Sequence, residues 1–219
     1  MIRPFLALWL ALVASPAFAQ QAVPAKPGGT MIVNFLGPVT SASMAEIVRA
    51  GQDAVMVGAE ELQINISSGG GRVYAARFAV NALRALPIRI TTVAMSDVGS
   101  SAVALFCAGE ERYVAPGASI FLHQLTRFVE RSVKTAAAQE REDEIVRGWY
   151  DRMLRECLSD RSLMEAIEIY NDRDLILDDA DVLRLGMANR AYSKLRDKRL
   201  FGRAVNVVPG DLKRIVPDD

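Results

Sequence analysis

The 219-residue chain holds one histidine, two cysteines and no net formal charge, its 26 Lys and Arg balancing 26 Asp and Glu. One histidine excludes metal sites that need paired imidazoles within a chain, and no cofactor is implied. Two cysteines exclude a disulfide-dense scaffold and a cysteine-rich zinc centre. Charge balance removes the electrostatic case for nucleic-acid binding, whose footprint is a basic surplus. Repeats and low-complexity blocks are missing, and no apolar run is long enough to span a bilayer comfortably. What remains is an ordinary globular mixture, 51% apolar and 24% charged, of a length that fits one domain with appendages.

The first residues read as a targeting segment. Arg3 precedes an apolar run from Phe5 to Val13, and Ala17-Phe18-Ala19 places small residues at both recognition positions of a signal peptidase. Cleavage after Ala19 leaves about 200 residues, a size that buries roughly 70% of its unfolded surface without help from disulfides. The segment holds one base and no acid, so the mature chain is near neutral. Residues 20–30, with Pro24, Pro27, Gly28 and Gly29, read as a flexible leader. The expected organisation is a signal peptide at 1–19, a leader at 20–30, a domain at 31–194 and an extension at 195–219. The expected location is the periplasm or outside the cell.

Periodicity orders the domain. Met31 to Phe35 is a short apolar strand. Ser43, with Glu46 three residues on, has the spacing of a capping box, and Met44, Ile47, Val48, Gly51 and Val55 fall on one helical face. Leu62, Ile64 and Ile66 alternate as a strand, followed by a glycine-rich turn at Ser67 to Gly71. Val73, Ala76, Val80 and Leu83 mark a helix that Pro87 ends. Ile88 to Ala94 is a strand, Asp97 to Ser100 a turn, and Ser101 to Ala108 a buried helix. Tyr113-Val114 and Ser119 to Leu122 are short strands. The alternation predicts a mainly parallel α/β sheet with covering helices. Lys134 to Leu158 reads as one long charged helix with Ile145, Trp149 and Met153 on a stripe. Projecting from the body, it would need a partner for Trp149; packing on its own core is the other reading. Leu163 to Tyr170 and Ala180 to Leu185 are shorter helices.

Three local features bear on chemistry. Ser67-Ser68-Gly69-Gly70-Gly71 lies between a strand and a helix, where glycines permit close approach and free N–H groups bind an anion or oxyanion; by itself it is also a tight turn. Ser100 and Ser101 sit at a strand-to-helix junction, as a nucleophile or as a helix N-cap. His123 ends an apolar strand, where a sheet presents functional groups. A serine and an imidazole need a carboxylate to orient the ring, and composition does not select it from 26 acids.

Together these features resemble the ClpP peptidase family, within the wider ClpP/crotonase fold. Phe35-Leu36-Gly37-Pro38-Val39 resembles the family's first strand and Gly-Pro-Val turn. Ser68-Gly69-Gly70-Gly71-Arg72-Val73 stands where the family has Ser-Pro-Gly-Gly-Ser-Val. Ser96 to Gly109 resembles the nucleophile helix, whose Ala-Gly end lies nine residues after the serine, which selects Ser100. Leu122-His123-Gln124 resembles Ile-His-Gln, and Arg173-Asp174 resembles the family's Arg-Asp. The resemblance implies a serine endopeptidase with Ser100 as nucleophile, His123 as general base and Asp174 as its orienter. It implies an oxyanion hole from the N–H groups of Gly71 and Ser101, and no metal. It also implies peptides or unfolded polypeptides as substrates, a homo-oligomer in which a ring is possible, and a projecting handle helix. The family works with a ring ATPase, but a signal peptide leads away from ATP, so no such partner is expected.

Cys107 falls on the nucleophile helix and Cys157 at the end of the long helix; an oxidising compartment permits a disulfide between them, which sequence alone does not establish, and the expectation is two buried free thiols. Three competing functions stay open: a non-hydrolytic assembly or binding module, a crotonase-type acyl-CoA enzyme, and a Ser/Lys peptidase using Lys134.

Overall fold

The computed structural model describes residues 28–124, 135–158, 174–192 and, for the backbone alone, 200–207. The signal segment, the Leu163–Tyr170 helix, Lys134 and Arg173 lie outside the described residues. The chain runs β1 (Thr30–Leu36), α1 (Ser41–Met56), β2 (Glu61–Ser68), α2 (Val73–Arg84), β3 (Arg89–Gly99), α3 (Ser101–Phe106), β4 (Glu111–Val114) and β5 (Ser119–Leu122). Then follow α4 (Ala136–Cys157), β6 (Leu175–Asp178), α5 (Asp179–Arg184), β7 (Arg190–Ala191) and β8 (Leu200–Val207).

These strands form one sheet in the order β6-β5-β3-β2-β1-β8, with β4 and β7 branching from β3. Every pairing is parallel except β5 with β6. Strand alternation explains the layering. Leu62, Ile64 and Ile66 are fully buried, as are Val33 and Phe35 beside them, and Met44, Ile47, Ala76, Val80 and Leu83 of α1 and α2. Each large apolar side chain so buried stabilises the fold by about 1.5–3 kcal/mol before entropy is counted. The intervening residues are polar: Glu61 accepts from Thr30 Oγ1 at 2.8 Å and from Thr91 Oγ1, while Asn65 donates to Asn34 at 2.8 Å and accepts from Gln63 at 2.8 Å. The second set therefore satisfies its own hydrogen bonds.

The N-cap of α1 lies three residues before the expected one. Thr40 is the N-cap, accepting from the Ser43 N–H at 3.1 Å, while Ser43 Oγ accepts from the Thr40 N–H at 2.9 Å. Ser43 is thus the inner member of the capping box, and Glu46 instead pairs with Arg49 at 2.9 Å on the surface.

Strand β3 does most to build the site. Its first half pairs with β4 from Thr91 to Ala94, and its second half pairs with β5 from Asp97 to Gly99. Against β2 the register runs from Ile66↔Ala94 to Ser68↔Val98, so β3 carries extra residues and bulges there. A bulge turns a strand and increases its twist, which carries the end of β3 away from β4 and onto β5. The expected turn at Asp97 to Gly99 is therefore strand.

Burial and pairing bear on three further points. Trp149 and Met153 are buried at 8% and 2% exposure, whereas Ile145 is 46% exposed. The carboxyl half of α4 packs on its own core, and Trp149 needs no partner. Residues 200–207, inside the expected extension, form β8 in parallel with β1. Cys107 and Cys157 are joined in a disulfide with Cα atoms 5.1 Å apart, rather than remaining free thiols.

The bond joins the C-cap of α3 to the last residue of α4. Two guanidinium groups accompany it: Arg84 donates to the Cys107 carbonyl at 3.3 Å, and Arg112 to the Cys157 carbonyl at 3.2 Å. Arg112 also donates to the carbonyls of Met187 and Gly109 at 2.6 and 3.0 Å. Burial pushes its pKa below the ordinary arginine value, partly offset by Glu111; an arginine so shifted stays charged at neutral pH. Closing a 50-residue span contributes about 4 kcal/mol by chain entropy. Reduction, or the double Cys→Ser variant, is expected to lower Tm by about 10 °C, measured by calorimetry with and without reductant. An unchanged Tm would show that the bond does not stabilise the fold.

Candidate active site

The candidate residues gather at the carboxyl ends of the parallel strands β2, β3 and β5, where open α/β sheets present ligands and catalytic groups. Ser100 follows the last residue of β3 and is the N-cap of α3. Its backbone has φ 51 and ψ −129, making it the only non-glycine with positive φ among the described residues. A side chain in that region is strained by about 1–3 kcal/mol, and such strain persists only where neighbours over-determine it.

The neighbours are identifiable. The Ser100 N–H donates to the Phe121 carbonyl at 2.8 Å. The Ser100 carbonyl accepts from Val103 N–H at 3.0 Å and from the Tyr150 hydroxyl at 2.8 Å. No side-chain hydrogen bond caps α3. The N-cap reading of the Ser100 hydroxyl therefore does not hold, and the hydroxyl is left for other work. Ser101 is fully buried, and its Oγ has no hydrogen-bond partner among the described residues.

The glycine-rich turn packs on this elbow. A Cβ on Gly70, at φ 97, would stand 2.6 Å from both the Gly99 carbonyl oxygen and Ser100 Cβ, and 3.1 Å from the Ser101 nitrogen. A Cβ on Gly71, at φ 149, would collide with the Val39 carbonyl oxygen. No side chain fits at either place. The turn is pinned from the other side, because Val39 N–H donates to the Gly70 carbonyl at 2.8 Å and Arg72 N–H to the Val39 carbonyl at 2.9 Å. This pattern bypasses the Gly71 N–H. Among the described residues neither it nor the Ser101 N–H has an acceptor. Ser101, next to Ser100, and Gly71, next to the Gly70 that abuts the elbow, thus carry N–H groups without an acceptor among the described residues, donors of the kind that can receive developing negative charge.

His123 and Asp174 arrive by register. Leu122 of β5 pairs with Leu175 of β6, so the next position on one strand is His123 and the preceding one on the other is Asp174. Gly99 pairs with Phe121 on the opposite edge of β5. Three neighbouring strands therefore bring Ser100, His123 and Asp174 to one end of the sheet. Side-chain direction alternates along β5: Phe121 and His123 share a face and stack with centroids 5.3 Å apart and planes 19° apart. His123 is half-buried and Asp174 exposed. No hydrogen bond joins the three side chains among the described residues. Such contacts are commonly loose before substrate binds.

One participant escapes sequence reading. Tyr150 is a buried aromatic on α4, and nothing in the local pattern distinguishes its hydroxyl from that of any core tyrosine. Only the packing of α4 across α3 shows where that hydroxyl goes.

Residues 32–194 match the family model described as Clp protease. Among solved structures, ClpP1 from Listeria monocytogenes, in a point-mutant form, is similar with a TM-score of 0.65 and 18% identity, over 75% of this chain and 92% of that one. No curated protein matches this chain.

Proposed function

The chain belongs to the Clp protease family, and on that premise we propose that it is a serine endopeptidase acting through Ser100, His123 and Asp174. The observation that carries this reading is the strained elbow at Ser100, with the N–H groups of Gly71 and Ser101 lacking an acceptor among the described residues. In the proposed reaction Ser100 Oγ attacks the scissile carbonyl while His123 takes its proton and Asp174 orients the imidazole. The tetrahedral oxyanion accepts from Gly71 and Ser101. Collapse breaks the peptide bond, His123 protonates the leaving amine, and water then hydrolyses the acyl-enzyme.

The substrates proposed are peptides and unfolded polypeptide segments, cleaved without an ATPase. The secretory pattern of residues 1–19 supports export, and so does the Cys107–Cys157 bond, since disulfides persist in oxidising compartments. Exposed Ile145, in the amino half of α4, supports assembly of several copies through this helix. The lack of a hydrogen bond joining the three catalytic candidates among the described residues favours one other reading, a module that keeps the fold with little or no catalysis. Hydrolysis of a fluorogenic peptide and of unfolded casein by the purified mature chain separates the two. Cleavage without nucleotide is expected, and cleavage that appears only with an unfoldase and ATP would refute ATP independence.

A further inference from the structure

We propose that Tyr150 is a positioning residue for the oxyanion hole, acting through the peptide group that joins Ser100 to Ser101; this rests on the serine peptidase reading above. Helix α4 reaches α3 at both ends. Near its middle the Tyr150 hydroxyl donates to the Ser100 carbonyl at 2.8 Å, and at its end Cys157 is bonded to Cys107. The disulfide fixes where α4 lies along α3, and Tyr150 uses that placement to hold the elbow.

The geometry of one peptide unit turns this contact into a catalytic effect. A trans peptide is planar, with its C=O and N–H pointing in opposite directions. The Ser100 carbonyl and the Ser101 N–H belong to the same plane. Anchoring the oxygen on one side therefore aims the N–H on the other, towards the side where Gly70 abuts the elbow. The preceding peptide is held separately by the Ser100 N–H to Phe121 bond at 2.8 Å. Each plane flanking the Ser100 Cα thus has its own anchor, and together they set the strained φ 51 and ψ −129. The Val103 N–H also bonds the carbonyl, at 3.0 Å, as any first helical turn does. Tyr150 adds a donor from outside the helix. Its hydrogen bond draws electron density onto the oxygen and makes the coupled N–H a stronger donor.

Because the Ser101 N–H is needed most when the oxyanion forms, the effect falls on the transition state and not on substrate binding. Tyr150→Phe keeps the ring, which is only 1% exposed, and removes the hydroxyl. With a fluorogenic peptide, kcat is expected to fall about 10–100-fold, less than the 10²–10³-fold for deleting an oxyanion donor outright. KM is expected to stay within about twofold, and a peptide boronate, which mimics the tetrahedral anion, is expected to lose affinity in proportion to kcat. Val146→Ala, a buried neighbour one turn earlier on α4, serves as the packing control: Tm falls and kcat holds. Placing 3-fluorotyrosine at position 150 retains ring and hydroxyl and should retain kcat even if the phenylalanine variant folds poorly. Wild-type kcat in Tyr150→Phe, an equal loss in Val146→Ala, or an equal loss with 3-fluorotyrosine would each overturn the proposal. Ser100→Ala separates the two levels. Activity surviving in that variant removes Ser100 as the nucleophile, and with it the reading on which the role of Tyr150 rests, whereas its loss beside an unaffected Tyr150→Phe removes only the role of Tyr150.

Discussion

Ser100→Ala is expected to reduce kcat for peptide hydrolysis by about 10⁴–10⁶-fold, the range seen when a serine nucleophile is removed from a triad. The substitution is unusually clean here. The contacts that hold the elbow are made by the backbone: the N–H to Phe121 and the carbonyl to Tyr150. Both persist in alanine, which has the same Cβ and meets the same strain at φ 51. The hydroxyl caps no helix, so its removal breaks no hydrogen bond among the described residues. Tm should move by less than the effect of losing a helix cap, about 1 kcal/mol. A large loss of activity with the fold preserved is the expected pair of results. Activity within tenfold of wild type would exclude Ser100 as the nucleophile.

His123→Ala is expected to cause a loss of similar size, because residues that act as one catalytic unit fail together. The chain has no other histidine to act as a second imidazole. A structural role would come from the stack on Phe121, and His123→Phe distinguishes the two. Phenylalanine keeps an aromatic ring on Phe121 and cannot accept a proton. It should be as inactive as alanine while restoring any stability that alanine loses. An active His123→Phe enzyme would assign the ring to packing alone.

Much of this was legible in the sequence, for reasons that are local. Leu62, Ile64 and Ile66 alternate because one face of β2 meets helices, and that pattern survives without knowing the partner. The order of strands and helices predicted a mainly parallel sheet. Ser100 and Ser101 share a strand-to-helix junction and His123 ends a strand, positions where a sheet presents functional groups, but it is the resemblance to the ClpP family that selects Ser100 from the pair. The rest depends on contacts between distant residues. Asp97-Val98-Gly99 carries the composition of a turn, but pairing with Ser119 to Phe121 extends β3 through it. Thr40 caps α1 because its own hydroxyl and that of Ser43 meet reciprocally, which displaced the box expected at Ser43 and Glu46. Residues 200–207 lack an alternating apolar signal strong enough to read as a strand; they are ordered by β1. The Cys107–Cys157 bond spans 50 residues, and only the crossing of α3 and α4 brings the pair together. The same crossing delivers Tyr150 to Ser100, so the bond and the Tyr150 contact share one cause.

Covalent labelling with a fluorophosphonate tests the central claim most directly, because the reagent needs an activated serine and an oxyanion hole but no knowledge of the substrate. The account predicts stoichiometric modification that peptide mapping assigns to Ser100, lost in both Ser100→Ala and His123→Ala. A folded, oxidised protein that takes up no label, or takes it up at Ser101 or another serine, would contradict it.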